Sequence, residues 1–158
     1  MKDEDSPVLA APRTSTDQMT RDEVVAFFER RQEAFDNLDA AALAGDYAGD
    51  CRLESPTAGS VVGRADVEKV FRAWFDAFLD LKIRTDSLVI DGNRVAQVLS
   101  VEGTDIGGFM GLPATGKSCR FAAVCLYDFA GRQIARERRI YDFTGVLVQI
   151  GVLKAKPA

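Results

Sequence analysis

Histidine is absent from the 158 residues. His-based triads, His general bases and His metal ligands are therefore excluded, and acid–base chemistry falls to Asp, Glu, Tyr, Lys or Cys. The densest stretch of chemically suggestive residues is 103–117, GTDIGGFMGLPATGK. Within it, Gly111-Leu-Pro-Ala-Thr-Gly116-Lys117-Ser118 spells the G-x-x-x-x-G-K-[ST] pattern of a phosphate-binding loop. That chemistry needs a helix immediately after the loop, its amides facing the anion. The residues from Cys119 to Phe129 instead alternate like a strand and end at the turn Ala130-Gly131. Only 41 residues follow Lys117, too few for the parallel sheet of a nucleotide hydrolase. We read the segment as a shaped connection between strands and Lys117 as a solvent-facing lysine at its exit.

The remaining candidates are scattered. Asp105 sits in the glycine loop and Asp142 follows the last strand-like run. Arg136-Glu-Arg-Arg139 is a short charge run on that run, the usual mark of a solvated or ion-paired face. Tyr127 and Tyr141 could donate to an enolate, or serve as buried tyrosines with one hydrogen bond each. Phe109 and Met110 are either loop anchors or a pocket lid, the lid being the preferred reading, and Leu99 is read as a pocket wall. Of the three cysteines, Cys119 and Cys125 fall on one face of a strand and read as small buried hydrophobes.

Helices come first among the elements that must position these groups. Thr20-Arg-Asp-Glu23 has capping-box spacing and opens a helix through about Asn37. Val24, Phe27, Phe28, Arg31 and Phe35 recur on one of its faces. Asp39 starts a short helix to Tyr47, and Asp50 to Pro56 reads as a short strand. The strongest helix, about Ala65 to Phe78, carries Val67, Val70, Phe71, Trp74, Phe75 and Phe78 along one stripe. That stripe reads as core, with Trp74 and Phe78 as candidates to line a pocket. Extended runs follow: Lys82 to Ile90, Arg94 to Asp105, Lys117 to Asp128 and Gln133 to Asp142, with a hairpin at Asp91-Gly92. An apolar run, Phe143 to Leu153, docks the C-terminus. The order gives an α+β domain with helices on one face of an antiparallel meander. Boundaries fall at a loose tail over 1–20, one domain over 21–153 and a short tail over 154–158.

Hydrophobic content of 47% and charged content of 28% are ordinary for a globular domain, and the net charge of −4 argues against non-specific nucleic-acid binding. The start of the chain has no apolar signal segment and no run reaches transmembrane length, so a cytoplasmic protein without membrane contact is expected. Both faces of Cys119 to Tyr127 are mostly apolar, which predicts a homodimer through the sheet.

The element order resembles the nuclear transport factor 2-like fold: about three N-terminal helices on a curved, mainly antiparallel sheet, forming a cone around a pocket. The loop GTDIGGFMGLPATGK resembles the G-T-H-x-G-x-F-x-G-x-P-x-T-G-K segment of SnoaL-like polyketide cyclases and their ester-cyclase relatives. Phe78-Leu-Asp80-Leu resembles that family's Phe-Pro-Asp-Leu. Gly131-Arg-Gln-Ile134 and Asp142 to Gly151 resemble its terminal D-G-K-I and D-x-x-G-x-L-x-Q-L-G. The resemblance spans about Arg21 to Leu153. It implies a cofactor-independent lyase or isomerase, without metal, closing a ring on an apolar carbonyl compound by aldol chemistry. Asp142 would then be the general acid/base, its pKa raised by an apolar pocket. The structural alternative is that Asp142 only caps the strand end. The family's histidine falls on Asp105 and its tryptophan on Arg138. On a regular pleat Ile134, Arg136, Arg138, Ile140 and Asp142 share one face. Three readings follow: Asp105, Arg138 and Asp142 form an acid–arginine–acid cluster of the epoxide-hydrolase kind; they form a structural ion pair in a non-catalytic ligand-binding or dimerisation module; or a bulge turns Arg138 to solvent.

Overall fold

The computed structural model describes residues 17–156. The chain enters through α1 (Arg21–Asp36), where Thr20 and Glu23 complete the expected capping box. Its buried face carries Val24, Phe27, Phe28, Arg31 and Phe35. A turn through Leu38 leads into α2 (Ala40–Gly45), whose first turn is closed by the Asp39 carboxylate accepting from Ala42 N at 2.9 Å. The strands β1 (Tyr47–Ser55) and β2 (Gly59–Val62) form a hairpin before α3 (Arg64–Ala77). Then come β3 (Lys82–Asp91), β4 (Arg94–Thr104), β5 (Ser118–Ala130), β6 (Gln133–Tyr141) and α4 (Phe143–Gln149).

Among the described residues, six strands form one sheet in the order β2-β1-β6-β5-β4-β3. All neighbours are antiparallel except β1 and β6, which run parallel. Among the described residues the register shifts in three strand pairs: between Tyr47 and Arg52 where β1 meets β6, and at single inserted residues on β3 and on β6. On β3, Thr85 pairs with Leu99 and Ser87 with Val98, leaving Asp86 as the extra residue. On β6, Ile134 pairs with Phe129 and Arg136 with Asp128, leaving Ala135 as the extra residue. Such insertions strengthen local twist and re-aim the side chains beyond them. The core lies between the concave face and the apolar stripes of α1 and α3.

The structure adds detail at the chain ends and at β2, and it agrees with the sequence reading at the exit of the glycine loop. Residues 1–16 of the expected N-terminal tail lie outside the described residues, but Met19 at its end is buried in the core. The C-terminal apolar run folds as a helix, α4, and residues 157–158 lie outside the described residues. The strand β2 carries no alternating apolar signal and is mostly exposed. Ser118 opens β5 directly after Lys117, so no helix exists there to bind a phosphate.

The glycine loop has a mechanical role instead. Its backbone N–H groups at Ile106 and Gly107 both donate to the Ala77 carbonyl, at 3.0 and 2.9 Å, closing the C-terminal end of α3. That approach leaves no room for a side chain, since a Cβ on Gly107 would overlap the Asp76 carbonyl oxygen. The loop thereby holds the helix that carries Trp74.

Candidate ligand-binding site

Between the helices and the concave sheet face lies a cavity of about 60 Å³. Phe71, Trp74 and Phe75 of α3 form its helical wall. Leu99 of β4 and Phe121, Cys125 and Tyr127 of β5 supply the opposite side, with Tyr141 of β6 beside them. Trp74 meets Tyr141 edge-on at 5.9 Å between ring centroids, and Tyr141 meets Phe121 at 5.5 Å. The Tyr141 hydroxyl is paired with Thr57 Oγ1 at 3.0 Å.

The polar part of this apolar hollow is an ion pair, Glu137–Arg139, two residues apart on β6 and both facing inward. They reach the cavity because Cys125 and Tyr127, their partners across β5, face inward too. Arg139 Nε donates to Glu137 Oε1 at 2.8 Å and Nη2 donates to Oε2 at 3.2 Å. Oε2 also accepts from the Tyr47 hydroxyl in a short contact. The Arg139 guanidinium lies 4.5 Å from the centre of the Phe71 ring. Its Nη1 has no hydrogen-bond partner among the described residues and is not fully buried. With the side chain 12% exposed and lining the cavity, those two N–H donors border open space.

A second buried cation backs this floor. Arg31 of α1 has no exposure, and its Nη1 donates to Leu43 O at 3.0 Å and Asp46 Oδ2 at 2.8 Å. Tyr127 is fixed from behind, donating to Gln97 Oε1 at 2.9 Å, while Gln97 Nε2 donates to Thr85 Oγ1 at 2.8 Å beside the β3 bulge. These surroundings set the protonation states. Burial alone would raise the Glu137 pKa, but the Arg139 charge, the bonds from Arg139 and Tyr47 and the Arg31 charge hold it below the usual carboxylate range. Burial pushes the Cys125 thiol up to about 12. It also raises Tyr127 and Tyr141, so both phenols stay protonated at neutral pH.

Residues 13–150 match the family description "SnoaL-like polyketide cyclase". The chain belongs to the SnoaL-like polyketide cyclase family. Solved structures agree on the fold. AclR, a putative hydroxylase from Streptomyces galilaeus, superposes with a TM-score of 0.75 at 24% identity, covering 87% of each chain. TsrD from Streptomyces laurentii has a TM-score of 0.75 at 21% identity over 85% of this chain and 99% of its own. A putative SnoaL-like polyketide cyclase from Jannaschia sp. CCS1 has a TM-score of 0.71 at 19% identity over 93% of this chain and 100% of its own. No curated protein matches the chain.

The SnoaL-like chain disperses the three polar residues expected to act together. Asp142 is exposed and caps α4, its Oδ1 accepting from Gly145 N at 2.8 Å. It therefore stabilises the helix terminus and does not line the cavity. Asp105 is buried in the glycine loop, where it accepts from Gly108 N, Thr115 N and Thr115 Oγ1 at 3.0–3.1 Å and shapes the loop. Arg138 is exposed on the convex face opposite Leu126. The bulge at Ala135 explains the last result: Ile134 still points inward, but beyond it Glu137 and Arg139 take the inner face that a regular pleat assigns to Arg136 and Arg138.

Trp74, Leu99 and Tyr127 line the cavity, whereas Phe78 is fully buried beside it. Phe109 is an anchor and not a lid, buried against Trp74 at 4.7 Å and Phe78 at 5.2 Å. Met110 is 57% exposed in a left-handed backbone conformation and faces away from the core. The residues that sequence reasoning missed are Glu137 and Arg139, with Tyr47 and Arg31 behind them. Their signal was present: Arg31 sits on an otherwise apolar helix face, and the 136–139 charge run lies on a strand whose neighbour is apolar on both faces.

Proposed function

We propose that this SnoaL-like protein binds an apolar carbonyl compound in the cavity beneath α3. The observation that carries this reading is an aromatic-walled hollow whose polar lining is dominated by a paired Glu137–Arg139. The acid/base role first assigned to Asp142 does not fit its position as an exposed helix cap. Glu137 is engaged through both oxygens, and the Cys125, Tyr127 and Tyr141 hydroxyl or thiol groups hold their protons. None is a base poised near neutral pH, so ligand binding is the function the geometry supports best.

Family membership favours a second reading, cofactor-independent ring closure or isomerisation in the same cavity. For ring closure, Glu137 would take the proton from the carbon next to one carbonyl, and the C–H electron pair would form the enolate. The enolate carbon would bond to a second carbonyl carbon of the same ligand, that C=O π pair would move to its oxygen, and the Glu137 carboxylic acid would protonate the new alkoxide. In an isomerisation the acid would instead return the proton to another carbon of the enolate. NMR of the Trp74 indole N–H, the only tryptophan in the chain, tests the first reading. Small ketones are expected to shift it, and an unmoved signal at saturating ligand would overturn binding in the cavity. Loss of α-proton signal from the ketone in D₂O, abolished by Glu137→Gln, distinguishes the second.

The same proposal covers assembly. Leu126, Ile140 and Val89 stand 41–63% exposed on the convex sheet face beside the exposed Arg138, a mixed patch that suits a second copy of the chain. Light scattering at micromolar concentration is expected to give a dimer mass, and a monomer mass would reject it.

A further inference from the structure

We infer that Arg139 is the specificity-determining residue of the cavity, and that its free Nη1 selects ligands presenting a neutral hydrogen-bond acceptor oxygen over carboxylates and plain hydrocarbons. This rests on the reading of the cavity as a ligand site.

Three observations carry it. The first is the hydrogen-bond census at the guanidinium. Nε and Nη2 are used by Glu137, whereas Nη1 has no partner among the described residues and borders open space. A planar fork with one side fixed by a carboxylate presents its remaining donors in a set direction. The second is rigidity. Arg139 is held by two bonds to a carboxylate that is itself held by Tyr47, and it lies over the Phe71 ring. Little side-chain freedom is left to lose when a ligand binds. The third is charge balance. Glu137 neutralises Arg139 inside the hollow, and Asp46 is bonded to Arg31 behind it. A ligand carboxylate would add a negative charge beside Glu137 in a poorly solvated space. A carbonyl oxygen accepts from Nη1 without adding charge. Glu137 thus acts as a positioning residue: it aims Arg139 and cancels the charge that would otherwise recruit acids.

The test uses three ligands of one size, acetophenone, ethylbenzene and benzoate, titrated into the full chain while the Trp74 indole N–H is followed by NMR. The expected results are that benzoate binds more weakly than acetophenone, and that Arg139→Met weakens acetophenone about tenfold relative to ethylbenzene, the range of one hydrogen bond to a charged donor. Because Arg139→Met strands the Glu137 carboxylate, Glu137→Gln/Arg139→Met is measured alongside and should show the same relative loss. The inference is overturned if acetophenone and ethylbenzene weaken by one common factor in the foldable variant, or if benzoate is the tightest ligand in wild type. If none of the three moves the Trp74 signal, the cavity reading itself fails, an outcome distinct from equal binding of all three.

Discussion

Replacing Glu137 with Gln removes the anion that faces Arg139 while keeping an acceptor for the Tyr47 hydroxyl. Glu137 has a side-chain exposure of 1% and Arg139 of 12%, so the guanidinium cannot recover its lost partner by turning into bulk water. Removing one member of such a pair costs about 3–5 kcal/mol, because the other charge stays buried and uncompensated. For a chain of this size each kcal/mol lowers Tm by about 2–4 °C, so a fall of about 6–20 °C is expected. Glu137→Gln/Arg139→Met should recover most of it, since an apolar side chain of similar length replaces the stranded charge. Chemical denaturation of wild type, both single variants and the double variant closes the cycle. If Glu137→Gln costs less than about 1 kcal/mol, the pair behaves like an exposed one and the buried, fixed floor of the cavity is wrong.

Three further outcomes follow from other parts of the structure. Asp142→Ala removes the cap of α4 and should cost about 0.5–2 kcal/mol by denaturation while leaving acetophenone affinity unchanged; lost affinity would return Asp142 to the site. Gly107→Ala forces the loop off the Ala77 and Asp76 carbonyls and should lower stability by about 2 kcal/mol or more, with faster amide exchange at the end of α3; an unchanged Tm would mean that the loop does not hold the helix. Because the folded Glu137 pKa lies below its unfolded value of about 4.3, its contribution is present above that value and is lost as pH falls through the folded one. Wild type should therefore lose stability more steeply than Glu137→Gln below about pH 4 in acid titrations followed by circular dichroism, and parallel curves would contradict the assignment.

The architecture was legible because its signals are local. The Thr20–Glu23 capping box, the α3 stripe and the Asp91-Gly92 turn fix elements without knowledge of their neighbours. The family was legible for a related reason: its motif sits in a loop where Gly107 is demanded by close backbone approach to α3 and Gly108 by the loop's own Leu112 carbonyl. The site was not legible in the same way. Asp105 and Asp142 look chemical in one dimension, yet each carboxylate is used by backbone N–H groups within ten residues of it. Which of Glu137 and Arg138 faces the cavity depends on one extra residue at Ala135, set by the pairing of β6 with β5. No local propensity encodes that insertion, and a one-residue slip exchanges every side chain beyond it between faces. Arg31 was a usable clue, since a guanidinium on a buried helix stripe implies polar partners across the core.

The central claim is that Arg139 offers its free donors to a ligand oxygen inside the cavity. A crystal structure of the chain soaked with acetophenone tests it most directly. The account predicts the ring between Trp74 and the sheet, with the carbonyl oxygen within about 3.2 Å of Arg139 Nη1. A ligand seated outside the cavity, or bound inside with its oxygen turned away from Arg139, would contradict it.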